Sequence, residues 1–211
     1  MGLLFTLVRL IIIKAKLLQV TLTILAAISL TVPKIAVAGM NKRANSIDLP
    51  STSQLRINLR GGYYQASGNQ FIEGNDRVRG VHPFECTEFA YGRAIERGLV
   101  KNKQGIGEVL NGDAHTWDDR IADSSYRSRL KTRVRANSFV VWEANLQFQW
   151  SEGNMNYTST TDPTAGHVAF VEKVYPDGSF LISEGVHQSQ PSIRLIKGQT
   201  PQAKAAKFIY L

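Results

Sequence analysis

Residues 167–184 read HVAFVEKVYPDGSFLISE, and this stretch decides the class of fold. His167 to Tyr175 alternates and is rich in Val, Ala and Phe, the pattern of a half-buried strand. Pro176-Asp177-Gly178-Ser179 is a turn signal: proline presets φ, aspartate bonds its own backbone, and glycine reaches positive φ without steric cost. Phe180 to Ser183 then returns as the second strand of a hairpin. Ser138 to Trp142 upstream, and Ser192 to Ile196 and Ala206 to Leu211 downstream, are expected to be further strands. Helical spacing belongs to the earlier part of the chain. Thr87 to Arg97 places Tyr91, Ala94 and Ile95 on one face and stops at Gly98, where a helix C-terminus favours a left-handed residue. Ala114 to Ala122 is expected to be a second helix, with Asp113 as N-cap and Trp117 turned inward. Helices early and antiparallel strands late give an α+β fold.

Outward from this core the signals weaken. Gln149 to Gly166 is a long polar segment and is expected to be an irregular loop lining a groove. Trp142 or Trp150 would then pack either on a substrate or in the core. Gly61 to Gly80 is rich in Gly, Asn and Gln and reads as loop, with one short strand around Tyr63 and Tyr64. Residues 39–65 form a leader or linker, and residues 66–211 the remaining domain.

Residues 1–38 hold Arg9, Lys14, Lys16 and Lys34 but no acid. An apolar run from Leu17 to Val32 follows, and then Ala36-Val37-Ala38. Basic residues, an apolar run and small residues at a cleavage site are the order of an export signal, cut after Ala38. The rival reading is a retained membrane anchor, although 16 residues fall short of the ~20 that span a bilayer. Removing the segment lowers the formal net charge from +8 to +4. That mild excess favours approach to an anionic polymer or membrane surface. No dense Lys/Arg run interleaved with aromatics supports nucleic-acid binding. Membrane contact is expected only if the N-terminal segment is kept.

Cys86 is the only cysteine among 211 residues. An exported chain normally spends cysteines in pairs. A single one is a buried filler, a site for pairing with another chain, or a thiol kept for chemistry. Cys86 falls just before the first expected helix, where free N–H groups and the helix dipole favour a thiolate. Glu85 and Glu88 oppose this if their charges sit close.

A thiolate needs a base. Of the four histidines, His167 stands out because it begins a rigid strand behind a polar loop. His187 is the second choice, His115 reads as surface or core, and His82 turns away beyond Pro83. Glu184, ending the hairpin, is the candidate to orient the imidazole. A two-residue Asp177-Gly178 loop would set Glu184 opposite Val171 and His167 opposite Gln188. The two would then stand four residues apart, roughly 13 Å at ~3.3 Å per residue, which is too far for a hydrogen bond. No HExxH, paired cysteines, Walker loop, dinucleotide fingerprint or GxSxG is present, so no metal site and no cofactor is expected.

At these residues the chain resembles the CHAP family, cysteine- and histidine-dependent amidohydrolases and peptidases of the papain-like NlpC/P60 superfamily. The matching stretches are residues 85–94 (ECTEFAYGRA), 112–117 (GDAHTW), 166–172 (GHVAFVE) and 177–184 (DGSFLISE), within a resemblance that covers roughly residues 70–190. It implies a papain-like α+β fold in residues 66–211, with Cys86 as nucleophile, His167 as general base and Glu184 as the orienting residue. It therefore argues against the two-residue hairpin register. It also implies an exported bacterial enzyme of the cell envelope that cleaves amide bonds in peptidoglycan. A degenerate wall-binding module and an exported cysteine peptidase acting on proteins are the alternatives. The chain departs from the family at Glu85 and Glu88, where Gln or Asn and an aromatic are usual, and at Val186, where Asn is common.

Overall fold

A polar turn and an extra residue in one strand set the register of the whole sheet. Val174 pairs with Phe180, and the Tyr175 N–H donates to Ser179 O at 2.8 Å. Three residues, Pro176-Asp177-Gly178, therefore close the hairpin instead of two. Gly178 takes φ +81°, and Asp177 accepts from the N–H and hydroxyl of Ser179. Further along, Val171 faces Ile182 whereas Lys173 faces Leu181, so Glu172 is an extra, bulged residue. Turn and bulge each slide the strands by one residue.

These features come from a computed structural model that describes residues 49–65, 68–72, 85–186 and 190–211. The expected export signal, His82 and His187 lie outside the described residues. Eight strands are described: β1 (Leu130–Lys131), β2 (Ser138–Trp142), β3 (Gln147–Glu152), β4 (Met155–Thr160), β5 (His167–Val174), β6 (Phe180–Glu184), β7 (Ser192–Ile196) and β8 (Lys207–Tyr210). Six form an antiparallel sheet in the order β1-β8-β2-β5-β6-β7, and β3 pairs with β4 apart from it. The helices are α1 (Cys86–Glu96), α2 (Ile106–Val109), α3 (Trp117–Ala122) and α4 (Pro201–Ala205), with 3-10 turns at Gly62–Tyr64, Ala114–Thr116 and Arg127–Arg129. This is the expected α+β, papain-like arrangement, with an N-terminal helix carrying the cysteine ahead of an antiparallel sheet.

Several expectations change. The stretch from Gln149 to Gly166 is largely a regular hairpin, with Gly153-Asn154 as its two-residue turn. Its outer face carries Gln149, Ser151, Asn156 and Thr158, and that polarity masked the alternating Phe148, Trp150 and Tyr157 of the other face. Tyr63 and Tyr64 form a 3-10 turn, not a strand. The second helix starts as a 3-10 turn before α3, and the Asp113 side chain caps nothing, although Trp117 is fully buried as expected.

α1 matches its sequence signals closely. Glu85 and Glu88 form a reciprocal capping box, with the Glu85 N–H donating to the Glu88 carboxylate at 3.1 Å. At the other end Gly98 takes φ +70°, its N–H donates to Ile95 O, and the Leu99 N–H donates to Ala94 O. That pair of bonds is a Schellman stop.

The sheet is buried on both faces. Phe139, Val141, Val168 and Phe170 face Tyr91, Ala94, Trp117 and Ile121 of the helices. Val140, Trp142, Ala169, Val171 and Ile182 form a second cluster with Phe148, Phe180 and Phe208. Each such large side chain contributes about 1.5–3 kcal/mol by leaving water.

Polar contacts then fix α1 over β5. Arg93, 1% exposed, donates through Nε and Nη2 to the two oxygens of Glu172 at 2.7 and 3.0 Å. It also donates to Glu96 at 2.5 Å and to Leu55 O at 2.9 Å. Ser183 adds a 2.6 Å bond to Glu172. The bulge thus presents a carboxylate to the helix that carries Cys86. Leu55, Ile57 and Leu59, in the stretch read from sequence as leader or linker, pack with Tyr64 and Phe89 of the domain.

Candidate active site

Cys86 is the first residue of α1 and is partly exposed. Position one of a helix leaves its own N–H and the next without carbonyl partners in the helix, so donors and a partial positive charge surround the sulfur. The two neighbouring acids are committed to the capping box. Glu88 is buried at 1% exposure and holds the chain entry in place.

His167 opens β5, opposite Trp142. Its ring stacks on that indole, with centroids 5.9 Å apart and planes inclined by 21°. The indole is itself held by its N–H, which donates to Gln202 O at 2.8 Å. Trp142 is only 1% exposed, so it supports the imidazole from beneath and does not pack on a substrate. Trp150 stacks on Tyr157 within the β3–β4 hairpin at 5.4 Å. Gly166 precedes the histidine with φ +69°, and a Cβ there would lie 2.6 Å from Trp142 O and 2.8 Å from His115 Cβ. Only glycine fits that approach.

The corrected register brings Glu184 to His167. Continuing from the Phe170–Ser183 pair, Glu184 stands opposite Ala169, two residues from His167 and on its side of the sheet. Such diagonal neighbours lie ~7–8 Å apart at the backbone, within reach of two long side chains. Glu184 Oε2 is 2.7 Å from His167 Nε2. Cys86 lies near enough to the ring to act on its charge. The structure therefore brings the three residues singled out in the sequence into one neighbourhood, with the imidazole bonded to the carboxylate and the thiol near the ring.

The electrostatics follow from those contacts. Burial alone would pull the His167 pKa down. The hydrogen bond to Glu184 and the nearby Cys86 outweigh it and push the imidazole up to about 9. For Glu184 burial would raise the pKa, but His167 and Arg194 hold the carboxyl down at about 2. These contacts favour a charged imidazole beside an ionised Glu184.

Two contributors escaped the sequence. Arg194, on β7, donates through Nε to Glu184 Oε1 and through Nη2 to Oε2 at 3.0 Å. The Ser192 hydroxyl donates to Oε1 at 3.0 Å. The β6–β7 register carries the signal, since Ser192 faces Glu184, but no turn motif in the sequence fixes that register. His115 lies against Gly166 and donates its N–H to Ala165 O at 3.0 Å, yet its ring belongs to no described catalytic contact. Among the described residues no three His, Cys, Asp or Glu side chains converge as a metal cage.

Residues 77–186 match the CHAP domain family. A curated relative, an N-acetylmuramoyl-L-alanine amidase domain-containing protein of Staphylococcus aureus (strain NCTC 8325 / PS 47), is 32% identical over 137 residues, 65% of this chain. A crystal structure of an N-acetylmuramoyl-L-alanine amidase from Staphylococcus aureus is similar over 69% of this chain, at 29% identity and a TM-score of 0.43. The chain spans only 18% of that curated relative and 35% of that crystallised chain.

Proposed function

The chain belongs to the CHAP domain family, and on that premise we propose that it is an exported cysteine hydrolase that cleaves amide bonds in peptidoglycan. The observation that carries the proposal is the His167–Glu184 hydrogen bond at 2.7 Å with Cys86, the first residue of α1, beside the ring. The relative from Staphylococcus aureus is named for an N-acetylmuramoyl-L-alanine amidase domain, which makes the amide between N-acetylmuramic acid and L-alanine the first bond to test. Residues 1–38 direct the chain to the cell envelope, where that polymer lies.

The mechanism is acyl transfer. The Cys86 thiolate attacks the amide carbonyl, forming a C–S bond and placing negative charge on the carbonyl oxygen. N–H groups at the start of α1 stabilise that oxyanion, and one such donor commonly supplies a factor of ~10²–10³. The C–N bond then breaks as the His167 imidazolium gives its proton to the leaving amine. The product is an acyl-thioester and a neutral imidazole. Water attacks the thioester while His167 takes its proton, which releases the carboxylic acid and restores the thiolate–imidazolium pair. Glu184 holds the ring and balances its charge throughout.

Incubation of the protein with purified sacculi should release new amino groups, and mass spectrometry of the products identifies the bond. Cys86→Ser should abolish release. Retained hydrolysis in that variant rules out Cys86 as the nucleophile.

A further inference from the structure

We propose that Arg194 is a positioning residue of this site, the permanent counterion that keeps Glu184 ionised and aimed at His167 while the imidazole passes between charged and neutral forms. The proposal rests on the roles given above to Cys86, His167 and Glu184.

The geometry is that of a fork on a buried carboxylate. Glu184 is 2% exposed. Its Oε1 accepts from Arg194 Nε and from the Ser192 hydroxyl at 3.0 Å. Its Oε2 accepts from Arg194 Nη2 at 3.0 Å and meets His167 Nε2 at 2.7 Å. Two-point contact of this kind fixes the carboxylate plane as well as its charge, which a single ammonium does not do. Arg194 is diagonal to Glu184 across the β6–β7 pair, because Glu184 faces Ser192 and Ile182 faces Arg194.

The chemistry requires such a partner. When His167 gives its proton away, a neutral ring faces a carboxylate with almost no access to water. Without another cation that carboxylate would itself take up a proton, since burial disfavours its charge. A protonated Glu184 no longer favours return of the proton to the imidazole. The guanidinium stays charged at every working pH, so it closes that route. It also opposes the imidazolium across the shared Oε2, and so makes His167 a better acid toward the leaving amine. Among the described residues, the other charged or titratable groups that act on the His167–Glu184 pair are Cys86 from α1 and Arg194 from β7.

The test uses the full chain with isotope-labelled histidine, the His167 ring resonance being assigned by its loss in His167→Gln. Its pH titration is followed by NMR in wild type, Arg194→Met and Arg194→Lys. Arg194→Met should move the His167 midpoint upward by about one to two pH units, the scale for removing a charge within ~6 Å at an effective dielectric of ~20, reduced by solvent screening of the partly exposed guanidinium. On soluble peptidoglycan fragments its kcat should fall while KM stays within about twofold, the pattern of an interaction that acts on the chemical step. Arg194→Lys should keep the midpoint but lose part of kcat, because the charge remains and the fork is gone. It decides the matter if Arg194→Met does not fold. An unmoved midpoint in Arg194→Met overturns the proposal. So does a raised KM at unchanged kcat, which would make Arg194 a substrate anchor, or wild-type turnover in Arg194→Lys. The NMR titration needs no substrate, so it stands even if no peptidoglycan is cleaved. Hydrolysis that survives Cys86→Ser, in contrast, removes the catalytic reading itself.

Discussion

Replacing Arg93 by methionine should destabilise the domain and loosen the placement of Cys86. The side chain is 1% exposed and is the cation between two carboxylates that are themselves buried, Glu172 at 3% and Glu96 at 8%. Among the described residues, its loss leaves Glu172 with the Ser183 hydroxyl as side-chain donor, and Glu96 with Tyr64 and the Asn58 N–H. Removing one partner of a buried pair typically costs about 3–5 kcal/mol, because the remaining charge is stranded. That is a large share of the about 5–15 kcal/mol that holds a domain together. At about 2–4 °C per kcal/mol for a domain of this size, the melting temperature should fall by roughly 6–20 °C. Urea unfolding followed by tryptophan fluorescence measures the change, and Cys86 alkylation by iodoacetamide reports whether the thiol keeps its environment. The double variant Arg93→Met/Glu172→Met should recover part of the loss, since an apolar pair of similar volume is often tolerated in place of a buried ion pair. A loss below ~1 kcal/mol in the single variant, or simple additivity in the double, would refute this reasoning.

Stability should also depend on pH through the His167–Glu184 pair. The folded pKa of His167 is raised from 6.5 to about 9, so its contribution is fully present below ~6.5 and is lost as pH rises through about 9. Its size is at most about 3 kcal/mol. The lowered Glu184 pKa describes the same pair from its other end: that contribution is present above ~4.5 and lost as pH falls through about 2. Urea midpoints at pH 6 and pH 9.5 should differ in wild type and converge in His167→Gln; equal midpoints in wild type would contradict the assignment. Gly166→Ala should cost about 1–2 kcal/mol for its positive φ, with a further penalty from the clash with Trp142 O. Thermal melts and Cys86 alkylation should both register it, and a neutral effect would show that the turn before His167 is not constrained.

The site was legible in the sequence to an unequal degree. Cys86 could be placed because local signals surround it: a helix start before apolar spacing, and a glycine stop at Gly98. His167 stood out at the start of a strand because Gly166 and alternation are also local. The link from His167 to Glu184 was not local. A two-residue loop put them about four residues apart, whereas the three-residue turn and the Glu172 bulge halve that offset. A bulge has no strong sequence mark, and the residue it inserts here, Glu172, is bonded to Arg93, 79 positions away. The β3–β4 hairpin was missed for a different reason. Only one of its faces touches the core, and the polar other face diluted the alternation that signals a strand.

What the sequence determined alone was the helix at Cys86, the β5–β6 hairpin with its neighbouring strands, the burial of Trp117 and the identity of the one available thiol. Those properties depend on neighbours within a few residues, where capping, periodicity and turn chemistry act. Only the tertiary structure decided which oxygen meets the imidazole, that Trp142 lies beneath the ring, and that Arg194 and Ser192 share the buried carboxylate. Each of these depends on strand register, and register is settled by the summed packing of both sheet faces.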